Sequence, residues 1–219
     1  MLVGLLGYPL TGSLSPRMQN AAFAACGLDW AYALVPVREG HVEAALEGLA
    51  GLGFAGANVT IPHKQTVAAL CETELPSVNT LILRDETIEG YSTDAAILDG
   101  LPAERPVILG DGGSAAAFRH VLPDARVFSR RGSWPPDVGG ADLIVNATSE
   151  RDEVLVELGP DQTLIDLPYP ETATALAARD AGAHVVTGLD VLVAQGAASF
   201  ERWTGLPAPV DVMREAVRS

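Results

Sequence analysis

Short apolar runs alternate with longer amphipathic stretches along nearly the whole chain. Residues 2–6, 30–37, 52–59, 106–109, 125–128, 142–145, 163–167 and 184–187 are short, rich in Val, Ile and Leu, and bounded by glycine, proline or charge. That pattern predicts buried strands. Between them lie segments with apolar positions three and four apart, the spacing of a helix with one buried face. These are 15–26, 42–49, 65–70, an alanine-rich stretch after Gly113, 172–181 closed by Gly182, 189–203 and 210–217. Residues 78–83 and 87–91 read as a hairpin, and Thr93-Asp94 as the start of a helix ending near Gly100. Strand and helix in strict alternation predict an α/β fold with parallel sheets. Residues 101–105 are polar and carry a proline, which marks a boundary. The expected organisation is two-domain, with residues 1–101 completed by 189–219 and a Rossmann-like domain over 102–188.

One stretch concentrates chemistry: Asn58-Val59-Thr60-Ile61-Pro62-His63-Lys64. It follows the strand at 52–59, and Pro62 is expected in the first turn of the next helix. Asn58, Thr60 and Lys64 would then collect at a strand's carboxyl end, where open α/β sheets bind ligands. His63 reads as incidental. Asp94 is an acidic candidate partner for Lys64, although a carboxylate at a helix start also complements the helix dipole. Ser15, before Pro16, is either a helix cap or an anion contact at a helix N-terminus. Asn79 has the alternative reading of a turn residue.

The second concentration begins at the strand 106–109. Gly110-x-Gly112-x-x-Ala115, with Gly113 and Ser114 inside it, is the dinucleotide pattern between a strand and a helix. Glycines admit a pyrophosphate close to the backbone, and the helix start offers amide donors. After the next strand stands Ser129-Arg130-Arg131, where a cofactor without a 2'-phosphate would meet an acid. Planar guanidinium donors suit a phosphate, so NADP(H) is expected over NAD. The other reading is a pair of solvated surface arginines.

Composition narrows the classes. A net charge of −14 disfavours nucleic acid and anionic membrane as partners. No run of about 18 apolar residues is present, so no membrane span is expected. The two cysteines, Cys26 and Cys71, suit reduced thiols in a cytoplasm, and neither has a neighbour that suggests a metal site. The acidity also means that Lys64, Arg130 and Arg131 must concentrate positive charge wherever an anion binds.

Taken in order, these motifs resemble the shikimate dehydrogenase family (shikimate and quinate dehydrogenases). The resemblance rests on Ser13-Leu14-Ser15-Pro16, the N-V-T-x-P-x-K stretch ending at Lys64, Asn79-Thr80, Thr93-Asp94 and the glycine turn at Gly110. It continues through Asn146-Ala147-Thr148, Tyr169, Gly188 and Gln195 to residues 200–205. It implies reversible NADPH-dependent reduction of 3-dehydroshikimate to shikimate, a step of aromatic amino acid (chorismate) biosynthesis. The small-molecule substrate would meet Ser13, Ser15, Thr60, Lys64, Asn79, Asp94, Tyr169 and Gln195, with Lys64 and Asp94 catalytic. Asn146, Ala147, Thr148 and Gly188 would join the glycine turn and Ser129-Arg130-Arg131 around the cofactor. The first domain would bind substrate and the second cofactor, with a cleft between them, in a monomer or homodimer. The chemistry agrees: hydride arriving at a ketone leaves charge on its oxygen, which an ammonium can stabilise and protonate. Alternatives are a dehydrogenase of quinate or an aminated analogue, and a non-catalytic paralogue that holds a shikimate-like ligand.

The chain departs from the family pattern in places. It is short for the family. Asp111 stands inside the glycine turn, Ser92 replaces an asparagine, and Ala95 and Ile97 replace glycines. Ser149-Glu150-Arg151 follows Thr148 in place of a glycine-methionine, and the turn after Tyr169 is shortened. All lie on the cofactor side or at the hinge.

Overall fold

A computed structural model describes residues 1–71, 73–84 and 87–218. The chain divides into two compact units, Met1–Ala96 with Leu192–Ser219, and Ile97–Val191. The crossings fall between Ala96 and Ile97 and between Val191 and Leu192, against 101/102 and 188/189 expected from composition.

In the first unit the strands are β1 (Leu2–Gly7), β2 (Ala31–Pro36), β3 (Phe54–Val59), β4 (Thr80–Arg84) and β5 (Thr87–Tyr91). They form one sheet in the order β2-β1-β3-β4-β5. β1 runs parallel to β2 and β3, while β4 is antiparallel to β3 and β5. Its helices are α1 (Ser15–Ala25), α2 (Val42–Gly51), α3 (Lys64–Leu70) and the C-terminal α7 (Val210–Arg218). Leu6, Leu46, Leu49, Val59, Val67 and Leu81 pack into one apolar core between sheet and helices. Fully burying each such side chain is worth about 1.5–3 kcal/mol. The sheet has its switch point between β1 and β3, where successive connections leave in opposite directions. Loops after those two strands carry residues 8–14 and 60–63.

The second unit has an all-parallel sheet of β6 (Pro106–Leu109), β7 (Arg126–Phe128), β8 (Leu143–Asn146), β9 (Thr163–Asp166) and β10 (His184–Val186), ordered β10-β9-β8-β6-β7. Every residue of β6, β8 and β9 is buried, as strands covered on both faces require. Helices α4 (Gly113–Val121) and α5 (Ala173–Asp180) connect them. Read from its first strand, this doubly wound sheet has the order 2-1-3-4-5, with its switch point between β6 and β8. The last long helix, α6 (Gly188–Thr204), starts in this unit and continues into the first.

Four expectations are corrected. Leu52 does not begin a strand: it caps α2, is 73% exposed, and Gly53 at φ +75° reverses the chain before β3. Pro62 lies in a turn closed by the His63 N–H to the Thr60 carbonyl, so α3 begins at Lys64. The segment from Asp94 is a 3₁₀ turn, Asp94–Leu98, and not a longer helix. Ser15 is the first residue of α1 and not its cap; the cap position is Leu14, with no side-chain cap bond.

Candidate functional site

At the carboxyl end of β3 the chain turns through Thr60 and His63 into α3, which brings Lys64 back toward the sheet. Thr60 sits beside β1, its N–H bonded to the Leu6 carbonyl at 2.8 Å. His63 is buried, and its Nε2–H donates to the Val37 carbonyl at 2.6 Å, so it ties the loop down. It is therefore a structural residue and not incidental.

Lys64 Nζ donates to Asp94 Oδ2 at 2.5 Å, with the two side chains 11% and 8% exposed. Asp94 Oδ1 accepts from Asn79 Nδ2 at 2.8 Å. Asn79 is also buried and stands just before β4, so the turn-residue alternative does not hold. Its Oδ1 accepts from the Thr93 N–H at 2.7 Å. Its Nδ2 lies near three acceptors, Asp94, Thr93 Oγ1 at 2.9 Å and Gln195 Oε1 at 3.4 Å, with two hydrogens to give. The long bond to Gln195 is the one a ligand hydroxyl could replace at least cost.

Behind the pair lies a polar network that the sequence did not reveal. Ser199, fully buried on α6, donates to the Gln195 carbonyl at 2.9 Å. A carbonyl only accepts, so Ser199 Oγ itself accepts, from Asn58 Nδ2 at 2.9 Å and Thr80 Oγ1 at 2.8 Å. Asn58 Oδ1 accepts from the Tyr32 hydroxyl at 2.9 Å. Asn58 is thus spent inside the fold. The available signal for Ser199 was a serine four residues beyond Gln195, on the same helix face. Ser13 and Ser15 occupy the loop after β1 and the start of α1, and the Ser15 N–H donates to Ser13 Oγ at 3.4 Å. Among the described residues, no side-chain bond joins these serines or Thr60 to the Lys64 cluster.

In the second unit, the loops after β6 and β8 meet at the switch point. Gly110 has φ +115°, and a Cβ there would lie 2.8 Å from the Ala147 carbonyl oxygen. Only glycine lets these two turns touch. A Cβ on Gly112 would meet nothing within 4 Å, and α4 starts at Gly113 and Ser114 with no side-chain cap and no acid in its first turn. The open space at Gly112, at a helix start, fits a pyrophosphate. Asn146 Oδ1 accepts from the Thr148 N–H and Oγ1, at 3.2 and 2.8 Å. Asn146 Nδ2 donates to the fully buried Asp166 at 2.7 Å. Asp166 also accepts from Thr172 Oγ1 and N–H, which ties the turn carrying Tyr169 to the turn of Asn146-Ala147-Thr148. Burial pushes its carboxyl above the ordinary value against these bonds. Gly188, at the start of α6, packs its backbone against the carbonyls of Leu167 and Pro168.

Ser129 opens a tight turn after β7, its carbonyl accepting from the Gly132 N–H. Arg130 and Arg131 follow, both exposed enough to reach a ligand. Each faces a carboxylate of this same unit, and Asp111 turns toward Arg131 at 3.8 Å. The carboxylate in the glycine turn is therefore partly neutralised from within. No cluster of three metal-binding side chains occurs among the described residues, and no described helix is long and apolar enough to cross a membrane.

Comparison with known proteins agrees with this geometry. A family model described as the shikimate dehydrogenase substrate binding domain matches residues 5–81, and one described as the shikimate 5'-dehydrogenase C-terminal domain matches residues 188–218. The chain is 39% identical to the shikimate dehydrogenase (NADP(+)) of Moorella thermoacetica, over 99% of this chain and 92% of that one. It is 36% identical to the protein of the same name from an Anaeromyxobacter species, over 99% of this chain and 95% of that one. The structure of Thermus thermophilus shikimate 5-dehydrogenase in complex with NADP(H) and shikimate matches with a TM-score of 0.87 at 27% identity, covering 100% of this chain and 98% of that one. With the fold, the strand-end lysine and aspartate and end-to-end likeness to these relatives all in agreement, the chain belongs to the shikimate dehydrogenase family.

Proposed function

We propose that the protein is an NADP-dependent shikimate dehydrogenase, interconverting the ketone of 3-dehydroshikimate and the hydroxyl of shikimate. The observation that carries this reading is the buried Lys64–Asp94 pair, held by Asn79 at the carboxyl end of β3. Burying an ion pair costs several kcal/mol of solvation per ion, and such a pair is weak evidence for stability. Its place at a ligand-binding strand end makes sense as chemistry. NADP(H), when bound, supplies or accepts the hydride.

The chain's own residues do the rest. Lys64 places an ammonium where the substrate oxygen gains charge and carries the proton that oxygen takes up or loses. Asp94 orients Lys64 and accepts from the same hydroxyl, and Asn79 fixes Asp94. Ser13 and Ser15, with Thr60 and Gln195, hold the carboxylate and remaining hydroxyls, which positions the reacting carbon. Gly110, Gly112, Gly113 and Ser114 would receive the pyrophosphate. Ser129, Arg130 and Arg131 would take the 2'-phosphate, and Asn146, Ala147, Thr148 and Gly188 would complete the cofactor wall. Both cysteines are free thiols, which supports a cytoplasmic setting.

The test is NADPH formation by the purified protein with shikimate, beside quinate and beside NAD. The expected result is turnover with shikimate and NADP that exceeds every other pairing in kcat/KM. No turnover with shikimate, or a tenfold preference for quinate, would overturn the proposal.

A further inference from the structure

Both arginines expected to meet the 2'-phosphate are already engaged. Arg130 Nη2 lies 2.7 Å from Glu153 Oε2 and 3.5 Å from Glu150 Oε2, and its guanidinium carbon is 5.7 Å from the Trp134 ring centre. Arg131 Nη1 lies 3.8 Å from Asp111 Oδ2. Three carboxylates therefore face two guanidinium groups. A carboxylate offers arginine the same planar pair of acceptor oxygens that a phosphate does.

We propose that Glu153 is a specificity-determining residue: it occupies Arg130 in the free protein and competes with the 2'-phosphate of NADP, narrowing the preference for NADP over NAD. This rests on the reading of Arg130 as a 2'-phosphate partner. NAD has no 2'-phosphate and need not displace Glu153, so the competition falls on NADP alone.

Glu153 is the effective competitor among the three. Its side chain is 67% exposed and free to swing into water once released. Glu150 is farther from Arg130, and its other oxygen accepts from the N–H groups of Arg151 and Asp152 at 3.0 and 3.1 Å. Those bonds, led by Asp152, hold its carboxyl below the ordinary value and keep it turned to its own backbone. Asp111 faces the other arginine. A carboxylate cannot hold Arg130 as firmly as a phosphate bearing nearly two charges, so NADP still binds. An exposed ion pair contributes little, which sets the effect of losing Glu153 at about two- to fivefold in affinity.

The test is calorimetric titration of the whole protein with NADP, NAD and adenosine 2',5'-bisphosphate. The proteins compared are the wild type, Glu153→Gln, Arg130→Gln and the double variant. Glu153→Gln should tighten NADP and the bisphosphate by about two- to fivefold and leave NAD unchanged. In the Arg130→Gln background that gain should vanish. Trp134 gives a second readout: it is the only tryptophan of its unit, and its emission should change when Arg130 leaves Glu153. Equal tightening of NAD and NADP would overturn the proposal, because it would mean only a less acidic surface. So would unchanged NADP affinity in Glu153→Gln when Arg130→Gln weakens NADP. If Arg130→Gln leaves NADP binding untouched, the 2'-phosphate reading itself is wrong, and the competition falls with it.

Discussion

Ser199 holds more of the packing behind the candidate site than its position in the sequence suggests. Its hydroxyl is the node at which Asn58, Thr80 and the Gln195 carbonyl meet, in a region without water-exposed surface. Ser199→Ala removes that shared partner, while Asn58 Nδ2 keeps the Asn79 carbonyl and Thr80 Oγ1, and the Thr80 hydroxyl keeps Asn79 Oδ1. A buried hydrogen bond is worth about 0.5–1.5 kcal/mol net, so urea unfolding should show a loss in that range. A loss below about 0.5 kcal/mol would mean that neighbours close over the gap. Ser15 is the contrasting residue. It makes no cap bond, so its hydroxyl does not hold the start of α1.

Among the elements, the connection that leads into β6 is fixed by one carboxylate at the start of β8. Asp142 Oδ2 accepts from the Glu104 N–H at 2.8 Å, and Oδ1 from the Arg105 N–H at 2.9 Å. Partial burial opposes its charge, but these backbone donors outweigh burial and hold the carboxyl below its ordinary value. A depressed folded value means that the stabilisation is present above the ordinary aspartate value and is lost as pH falls through the folded one. Solvent screens these exposed bonds, so Asp142→Asn should lower stability at neutral pH by at most about 1 kcal/mol. The gap to wild type should close in acid, and a gap that stays constant from pH 7 down to pH 3 would contradict this. Much at this scale was legible in the sequence. The apolar runs that became β6, β8 and β9 are continuous because both faces are covered, and the glycine turn is readable because only glycine permits the approach of Gly110 to Ala147. Boundaries were less legible where an apolar residue faces water, as Leu52 does. Bonding partners were hidden where they lie far apart in the chain: Asn58 and Ser199 are separated by 141 positions. The Glu153–Arg130 pair was hidden for a different reason, since exposed charges leave no periodic trace.

At the scale of the whole molecule, two sheets share one strand order, and each brings candidate site residues to its own switch point. In the first unit that place receives the loops after β1 and β3, with Ser13, Ser15, Thr60 and Lys64. In the second it receives the loops after β6 and β8, with Gly110 and Ala147. The chain has 219 residues, while its alignment with the Anaeromyxobacter relative spans 265 positions, so this chain is gapped against that relative. A net charge of −14 surrounds the few cations of the sites. The buried pair meets this by placing Lys64 against Asp94, and the strand-end arginines meet it by pairing with their own neighbours.

In the proposed reaction Lys64 handles the proton and charge of the reacting oxygen. The most direct measurement is kcat and KM for shikimate oxidation by Lys64→Ala under saturating NADP, with the wild type alongside. A positioned acid–base group contributes about 10²–10⁴ in rate. In Lys64→Ala, kcat should fall by at least about a hundredfold while KM changes far less. Turnover within about threefold of the wild type would contradict it and leave Lys64 a binding residue only.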